Sequence, residues 1–104
     1  MNSKLVRDNI PSIISQSGKE PVITLASRAQ KIKLLKDKLI EESLEAKSTS
    51  STVLLIEELA DLLQVIHSLS AELNISLSQI NKQMIKKAQL RGEFKKGYIL
   101  NDVK

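Results

Sequence analysis

Hydrophobic residues recur at helical spacing through the centre of the chain. Between Pro21 and Gly92 no proline or glycine interrupts the sequence, which favours long helices. The spacing predicts one helix over about 28–47 and another over about 53–73, and the polar run 48–52 connects them.

Capping residues predict where two of the helices begin. Ser27 is followed three positions later by Gln30, and Ser76 by Gln79. This spacing is typical of a capping box, in which the first residue and the third helical residue satisfy each other's backbone N–H groups. The second box predicts a fourth helix that ends at Gly92.

Two weaker patterns lie outside the long helices. A short helix is predicted near 9–17, because Pro11 suits the first turn and Gly18 suits the end. The stretches 22–26 and 98–101 have strand-like composition and are expected to pair as a small ribbon. The predicted fold is an all-α bundle of about four helices, with this ribbon as an addition.

The helix over 53–73 has one broad apolar arc and one polar arc. The apolar arc contains Leu55, Leu59, Leu62, Leu63, Ile66, Leu69 and Leu73. The polar arc contains Glu57, Asp61, Gln64, Ser68 and Glu72, with Glu58 at the border.

The helix over 28–47 has two separate apolar faces. One contains Ile32, Leu35, Leu39 and Ala46, and the opposite face contains Ile40 and Leu44. A helix with two apolar faces in so short a chain needs a second partner, and self-association is the simplest source of one. We therefore expect the protein to self-associate.

Composition indicates a small globular protein without thiol chemistry. The 104 residues predict a single domain, 1–104. The absence of cysteine excludes disulfides, thiolate metal sites and cysteine nucleophiles. No stretch is long and apolar enough for a membrane span, so a cytoplasmic location is expected.

The positive charge is concentrated at one end of the chain. The formal net charge is +4, and residues 82–104 carry seven basic against two acidic residues. The chain has only two aromatic residues, Phe94 and Tyr98, so it lacks a platform for stacking bases. Nucleic-acid binding is therefore disfavoured, although a steep salt dependence of binding to arbitrary DNA would revive it.

Four carboxylates form two pairs with i, i+3 spacing. Glu42 and Glu45 share one face of their helix, and Glu58 and Asp61 share one face of the next. If the two helices are antiparallel, the pairs converge near the connected end and repel unless a cation neutralises them. Oxygen ligands without His or Cys favour Mg²⁺ or Mn²⁺.

An ordinary explanation of these carboxylates remains open. Acidic residues in the first turns of a helix complement the helix dipole, which accounts for Glu58 and Asp61. Glu45 has no such explanation, because a negative charge is disfavoured in a last turn. Spacing alone therefore leaves a metal site and an ordinary acidic surface equally supported.

The wider sequence around the carboxylates resembles a known enzyme superfamily. The runs KLIEESLE at 38–45 and EELAD at 57–61 resemble the EExxE and ExxD signature of the MazG-like all-α nucleoside triphosphate pyrophosphohydrolases. The ends, KLVRDNIP at 4–11 and RGEFKKGY at 91–98, are similar to those of a phosphoribosyl-ATP pyrophosphohydrolase-like branch. The resemblance implies an oligomeric helical bundle that hydrolyses a nucleotide to its monophosphate and pyrophosphate.

The resemblance also implies roles for individual residues. Glu42, Glu45, Glu58 and Asp61 would hold Mg²⁺. Glu41 is a candidate for deprotonating the attacking water, or else the solvated partner of a lysine.

Cationic side chains are candidates for contacting the phosphates. Lys38 either contacts a phosphate or pairs with Glu42. Four further residues are candidates for contacting a phosphate, and the alternative for each is an ordinary surface charge. They are Lys4, Arg7, Arg91 and Lys95. A non-catalytic helical interaction module of the same fold is the alternative to an enzyme.

Overall fold

The structure, a computed structural model, describes residues 3–104. These residues form four helices: α1 (Ile10–Gln16), α2 (Arg28–Ser48), α3 (Thr52–Glu72) and α4 (Leu77–Arg91). The all-α prediction is thereby confirmed, and each helix end lies within one or two residues of its predicted position. The chain divides into two compact units, the first ending at Asn74 and the second running from Ile75 to Lys104.

Capping explains where α2 and α3 begin. The Ser27 hydroxyl accepts a hydrogen bond from the Gln30 backbone N–H, and the Ser27 backbone N–H donates to the Gln30 side chain. The predicted capping box is therefore present. The Ser51 hydroxyl accepts from the Leu54 backbone N–H in the same way and begins α3.

Helices α2 and α3 pack against each other as an antiparallel hairpin joined by residues 49–51. Contacts at the far end fix their register, because the Lys31 Nζ lies 2.9 Å from a Glu72 carboxylate oxygen. The Arg28 guanidinium donates a hydrogen bond of 2.9 Å to the Glu72 backbone carbonyl. The most buried apolar side chains are Leu35 on α2 and Val65 on α3.

The buried face of α3 differs from the predicted apolar arc. Val65, which lies outside that arc, is only 7% exposed, whereas Leu59 and Leu63 within it are half exposed. The physical reason is that a single partner helix, α2, covers only part of so broad an apolar arc and leaves the remainder exposed. It packs at the border between the apolar and polar arcs, which brings Asp61 next to the packed surface.

The first unit also contains α1, which begins and ends as predicted. Pro11 lies in its first turn, and Gly18 follows it with a φ of 86°. This left-handed conformation favours glycine and lets the following Lys19 N–H donate to the Ile14 carbonyl.

The second unit consists of α4 and the residues that follow it. Ser76 and Gln79 form the second predicted capping box, and Gly92 ends the helix with a φ of 83°. Every residue of this unit apart from Leu77 and Ala88 is exposed.

The predicted ribbon is wrong. Within residues 3–104, neither 22–26 nor 98–101 forms a strand. Strand-like composition reflects a fit to a half-buried sheet surface. Val22, Leu25 and Tyr98 are instead more than four-fifths exposed, so nothing stabilises a strand there.

Among the helices of residues 3–104, none has the length and apolar character that a bilayer crossing requires.

Candidate functional site

Carboxylates from α2 and α3 converge near the connected end of the hairpin. We call Glu42, Glu45, Glu58 and Asp61 the acidic cluster. One carboxylate oxygen from each of Glu42, Glu58 and Asp61 lies within 4.8 Å of the other two. Three of the four predicted ligands are therefore brought together from two helices.

Glu45 lies beside these three on the exposed last turn of α2. Its effect is visible in its neighbours. The pKa of Glu58 is raised, first by its contact with the Glu45 carboxyl, then by burial and by the negative charge of Glu45 and Asp61. Like charges are thus crowded closely enough to disfavour the charged form of Glu58.

The pKa of Glu42 is raised as well, and burial is the largest cause. Contact with the Glu45 carboxyl and the charge of Asp61 raise it further, whereas the positive charge of Lys38 lowers it. Burial without a neutralising partner disfavours the charged form of a carboxyl group. A cation at this point would relieve both the burial and the repulsion.

Two oxygens of the cluster have unmet hydrogen-bonding capacity. Glu42 is only 9% exposed, and its Oε2 atom and the Glu58 Oε2 atom are buried without a hydrogen-bond partner among residues 3–104. Buried polar atoms are nearly always satisfied, so such oxygens need an explanation. Ligation of a cation is one that suits carboxylates.

The spacing of the carboxylates also suits a small divalent cation. Mg²⁺ binds oxygen at about 2.0–2.1 Å, so oxygens on opposite sides of it are about 4.2 Å apart. Three oxygens within 4.8 Å of one another lie close to that spacing. The residues present therefore fit Mg²⁺ or Mn²⁺.

The acidic cluster borders a cleft of about 840 Å³ between the N-terminal segment, α2 and α3. The cleft contains both charged and apolar side chains. Its walls are formed by Leu5, Val6, Arg7, Asp8, Asn9, Ile10, Ile13, Lys31, Leu35, Lys38, Glu42, Asp61, Gln64, Val65, Ser68, Ala71 and Glu72. This volume is within the range of small-molecule sites in proteins.

The cleft runs along the hairpin. On α2, the cleft is lined at successive turns by Lys31, Leu35, Lys38 and Glu42, over a length of about 16 Å at 1.5 Å per residue. Glu42 and Asp61 lie at one end, and the ion pair between Lys31 and Glu72 lies at the other.

Three cleft residues were missed by the sequence analysis. Gln64, Ser68 and Glu72 were assigned to the polar arc of α3, yet they line the cleft. The Gln64 side-chain amide donates a hydrogen bond of 3.2 Å to the Ser68 hydroxyl. Their helical spacing from Asp61 was the available signal, because it places all four on one side of α3.

Two predicted phosphate-contacting residues line the cleft. The Arg7 Nη2 atom donates to the Asp61 Oδ1 atom at 2.7 Å. The Lys38 Nζ atom lies 3.7 Å from the Glu41 Oε2 atom, so its ion pair is with Glu41 rather than with Glu42.

The other predicted site residues lie elsewhere. Among the described residues, Lys4 and Glu41 line a second cavity of about 210 Å³, which Lys38 also borders. Arg91 is the exposed last residue of α4 in the second unit. Lys95, in the same unit, pairs with Glu93 at 3.0 Å.

Comparison with known proteins adds no relative. No protein-family model matches the chain, and neither a curated protein nor a solved structure shows significant similarity to it.

Proposed function

We propose that this protein is a Mg²⁺-dependent nucleotide pyrophosphohydrolase, for which Mn²⁺ is an alternative metal. It would cleave between the α- and β-phosphates of a nucleoside triphosphate or a related nucleotide. The products would be the nucleoside monophosphate and pyrophosphate. The MazG-like resemblance described above is part of the basis for this proposal.

One observation supports it most strongly. Carboxylates from two helices meet within 4.8 Å, and two of their buried oxygens have no hydrogen-bond partner among residues 3–104. This acidic cluster opens on a cleft whose walls also carry Arg7 and Lys38. Carboxylates for a metal and cations for phosphate are the groups that phosphoanhydride hydrolysis requires.

The residues of the cleft would divide the work of the reaction. A Mg²⁺ ion on Glu42, Glu45, Glu58 and Asp61 would neutralise phosphate charge and lower the pKa of a water molecule. Lys38 and Arg7 would hold phosphate oxygens, and the apolar section around Leu35 and Val65 would exclude water from the remainder of the nucleotide.

The reaction itself is a hydrolysis. The oxygen of water forms a bond to the α-phosphorus, and the bond from that phosphorus to the bridging oxygen breaks. The proton of the water passes to a base, for which Glu41 is the candidate. The ion pair of Glu41 with Lys38 supports instead its alternative role as the solvated partner of a lysine.

The decisive experiment measures Mn²⁺ binding and nucleotide turnover with the same variants. Glu42→Gln and Asp61→Asn each remove one ligand charge and are expected to weaken Mn²⁺ binding by more than about tenfold, because even groups that only support ligands contribute 10–100-fold. Both should also abolish release of pyrophosphate from a panel of nucleotides with Mg²⁺. Products are separated as pyrophosphate and orthophosphate.

The matched control is Glu57→Gln, which removes a carboxylate charge next to Glu58 without removing a ligand. Its Mn²⁺ affinity and turnover should stay within about twofold of the wild type, as expected of a surface charge. Glu41→Gln in the same assay distinguishes its two roles, since loss of a general base costs about 10²–10⁴-fold in rate. Failure of the wild type to consume any nucleotide would leave the non-catalytic interaction module.

We also propose that the protein self-associates, as a homodimer or homotetramer. The supporting observation is a strip of apolar side chains on the hairpin that are half exposed or more. We call it the outer apolar strip, and it contains Ile40, Leu44, Ile56, Leu59 and Leu63. Contiguous exposed apolar surface is typical of interaction sites.

A further inference from the structure

Arg7 makes the one hydrogen-bonded ion pair between the N-terminal segment and a carboxylate of the acidic cluster among the described residues. Its Nη2 atom lies 2.7 Å from the Asp61 Oδ1 atom, at a distance typical of a charge-assisted hydrogen bond. Asp61 is also one of the three carboxylates that converge within 4.8 Å. The same carboxylate therefore serves the guanidinium and the candidate metal site.

A divalent cation and a guanidinium group are both positively charged and are unfavourable at short separation. A cation held by Asp61, Glu42 and Glu58 would lie within a few ångströms of Arg7, and two positive charges at that separation repel. Both are attracted to the negative charge of Asp61, so each weakens the binding of the other to this carboxylate. The side chains of Arg7 and Asp61 are both about half exposed, so the guanidinium can leave Asp61 and remain solvated.

The segment that carries Arg7 forms one wall of the cleft. Leu5 and Val6 are partly buried along it, and the Ile10 backbone N–H donates to the Arg7 carbonyl, which ties the segment to α1. Contact with Asp61 therefore holds this wall against α3. Release of Arg7 would loosen the wall and leave a free guanidinium facing the cleft.

We propose that Arg7 and a divalent cation compete for Asp61, so that cation binding transfers Arg7 from Asp61 to an anionic group in the cleft. This inference rests on the proposed function, since it assumes that the acidic cluster holds the metal. It makes Arg7 a residue that links metal loading to anion binding, and by reciprocity each of the two favours the binding of the other.

The first test is Mn²⁺ titration of the metal-free full chain by calorimetry, without nucleotide. Arg7→Gln removes the competitor and should tighten Mn²⁺ binding by about two- to fivefold, the range that an exposed ion pair of up to about 1 kcal/mol allows. Lys4→Gln is the matched control. It removes the same charge from the same segment but lines the other cavity, and its affinity should stay closer to that of the wild type.

The second test follows the N-terminal segment by amide hydrogen exchange. Saturating Mn²⁺ should accelerate exchange of the Ile10 amide, which donates to the Arg7 carbonyl, by at least about twofold in the wild type. It should leave Arg7→Gln unchanged, because that variant has no contact to release. Circular dichroism of both variants verifies that the helices are intact.

The outcomes separate the two proposals. If the wild type binds Mn²⁺ but Arg7→Gln binds it more weakly, Arg7 orients Asp61 for the metal, and the competition is refuted. Equal effects of Arg7→Gln and Lys4→Gln would mean that only long-range charge matters, which refutes it too. If the wild type does not bind Mn²⁺ at all, the proposed function fails and the competition fails with it.

Discussion

Glu42 combines several energetically unfavourable features in one side chain. It is buried on the packed side of α2, its Oε2 atom has no hydrogen-bond partner among residues 3–104, and its pKa is raised by burial and by Glu45. A hydrophobic residue at this position would pack without these costs. A buried carboxylate that breaks the local rules is typical of a functional site.

The raised pKa predicts how stability depends on pH when no metal is present. A carboxyl whose pKa is higher in the folded than in the unfolded state stabilises the fold below its ordinary pKa of 4.5. That contribution is lost as the pH rises through the raised value. We therefore expect Glu42→Gln to become progressively more stable than the wild type as the pH rises above 4.5 through the raised pKa, as measured by urea unfolding in EDTA.

The same urea unfolding measured in saturating Mn²⁺ tests the effect of the metal on stability. Protons compete with the metal for the carboxylates, so the wild type should gain stability from Mn²⁺ as the pH rises, and Glu42→Gln should gain much less. A difference between the two proteins that does not change with pH in EDTA would contradict the assignment of strain to Glu42.

At the scale of elements, the α2–α3 hairpin positions everything in the candidate site. Ser27 and Ser51 determine where the two helices begin, and the ion pairs of Glu72 with Arg28 and Lys31 hold the open end in register. The acidic cluster is the consequence of this register at the other end. Any change that shifts α2 by one turn would separate Glu42 from Asp61.

The capping box of α2 gives a direct test of this dependence. Ser27→Ala removes the acceptor of the Gln30 backbone N–H and should lower the free energy of unfolding by about 1 kcal/mol. The measurement is urea denaturation followed by circular dichroism. Ser50→Ala, at an exposed position between the helices, is the control and should change the free energy by less than about 0.5 kcal/mol.

Local signals explain why the helices were predictable from the sequence and the cleft was not. Capping boxes and glycine stops act over three or four residues, so Ser27 and Gly92 could be recognised directly. The packed face of α3 depends on which part of a broad apolar arc α2 covers, and periodicity does not decide that. Glu42 and Asp61 could be paired from spacing, whereas Gln64 became a cleft residue only through the distant N-terminal segment.

At the scale of the whole molecule, a single chain buries little of its apolar surface. Leu35 and Val65 are the only apolar side chains of residues 3–104 that are buried. The outer apolar strip, by contrast, is half exposed or more. Small domains have little margin in their cores, so covering this strip with a second copy would add substantial stability.

Self-association gives a prediction for one exposed leucine. Leu44 is 59% exposed, and Leu44→Asp places a charge within the outer apolar strip. Because an unpaired charge is costly in an interface, we expect the variant to sediment and scatter light as a monomer where the wild type is larger. Ser50→Asp adds the same charge outside the strip and should keep the mass of the wild type. Equal masses for the Leu44 variant and the wild type would exclude this face as the interface.

The short connection at residues 49–51 has one more consequence. It joins the two helices beside the acidic cluster, so folding gathers side chains that repel one another before any ion arrives. The entropy of assembling the ligands is then spent during folding, together with packing of the hairpin, and not at the moment of binding. In coordination chemistry this is the chelate effect. Cutting the backbone between Ser50 and Ser51 would therefore lower the affinity of the acidic cluster for a metal ion, although every donor atom remained present.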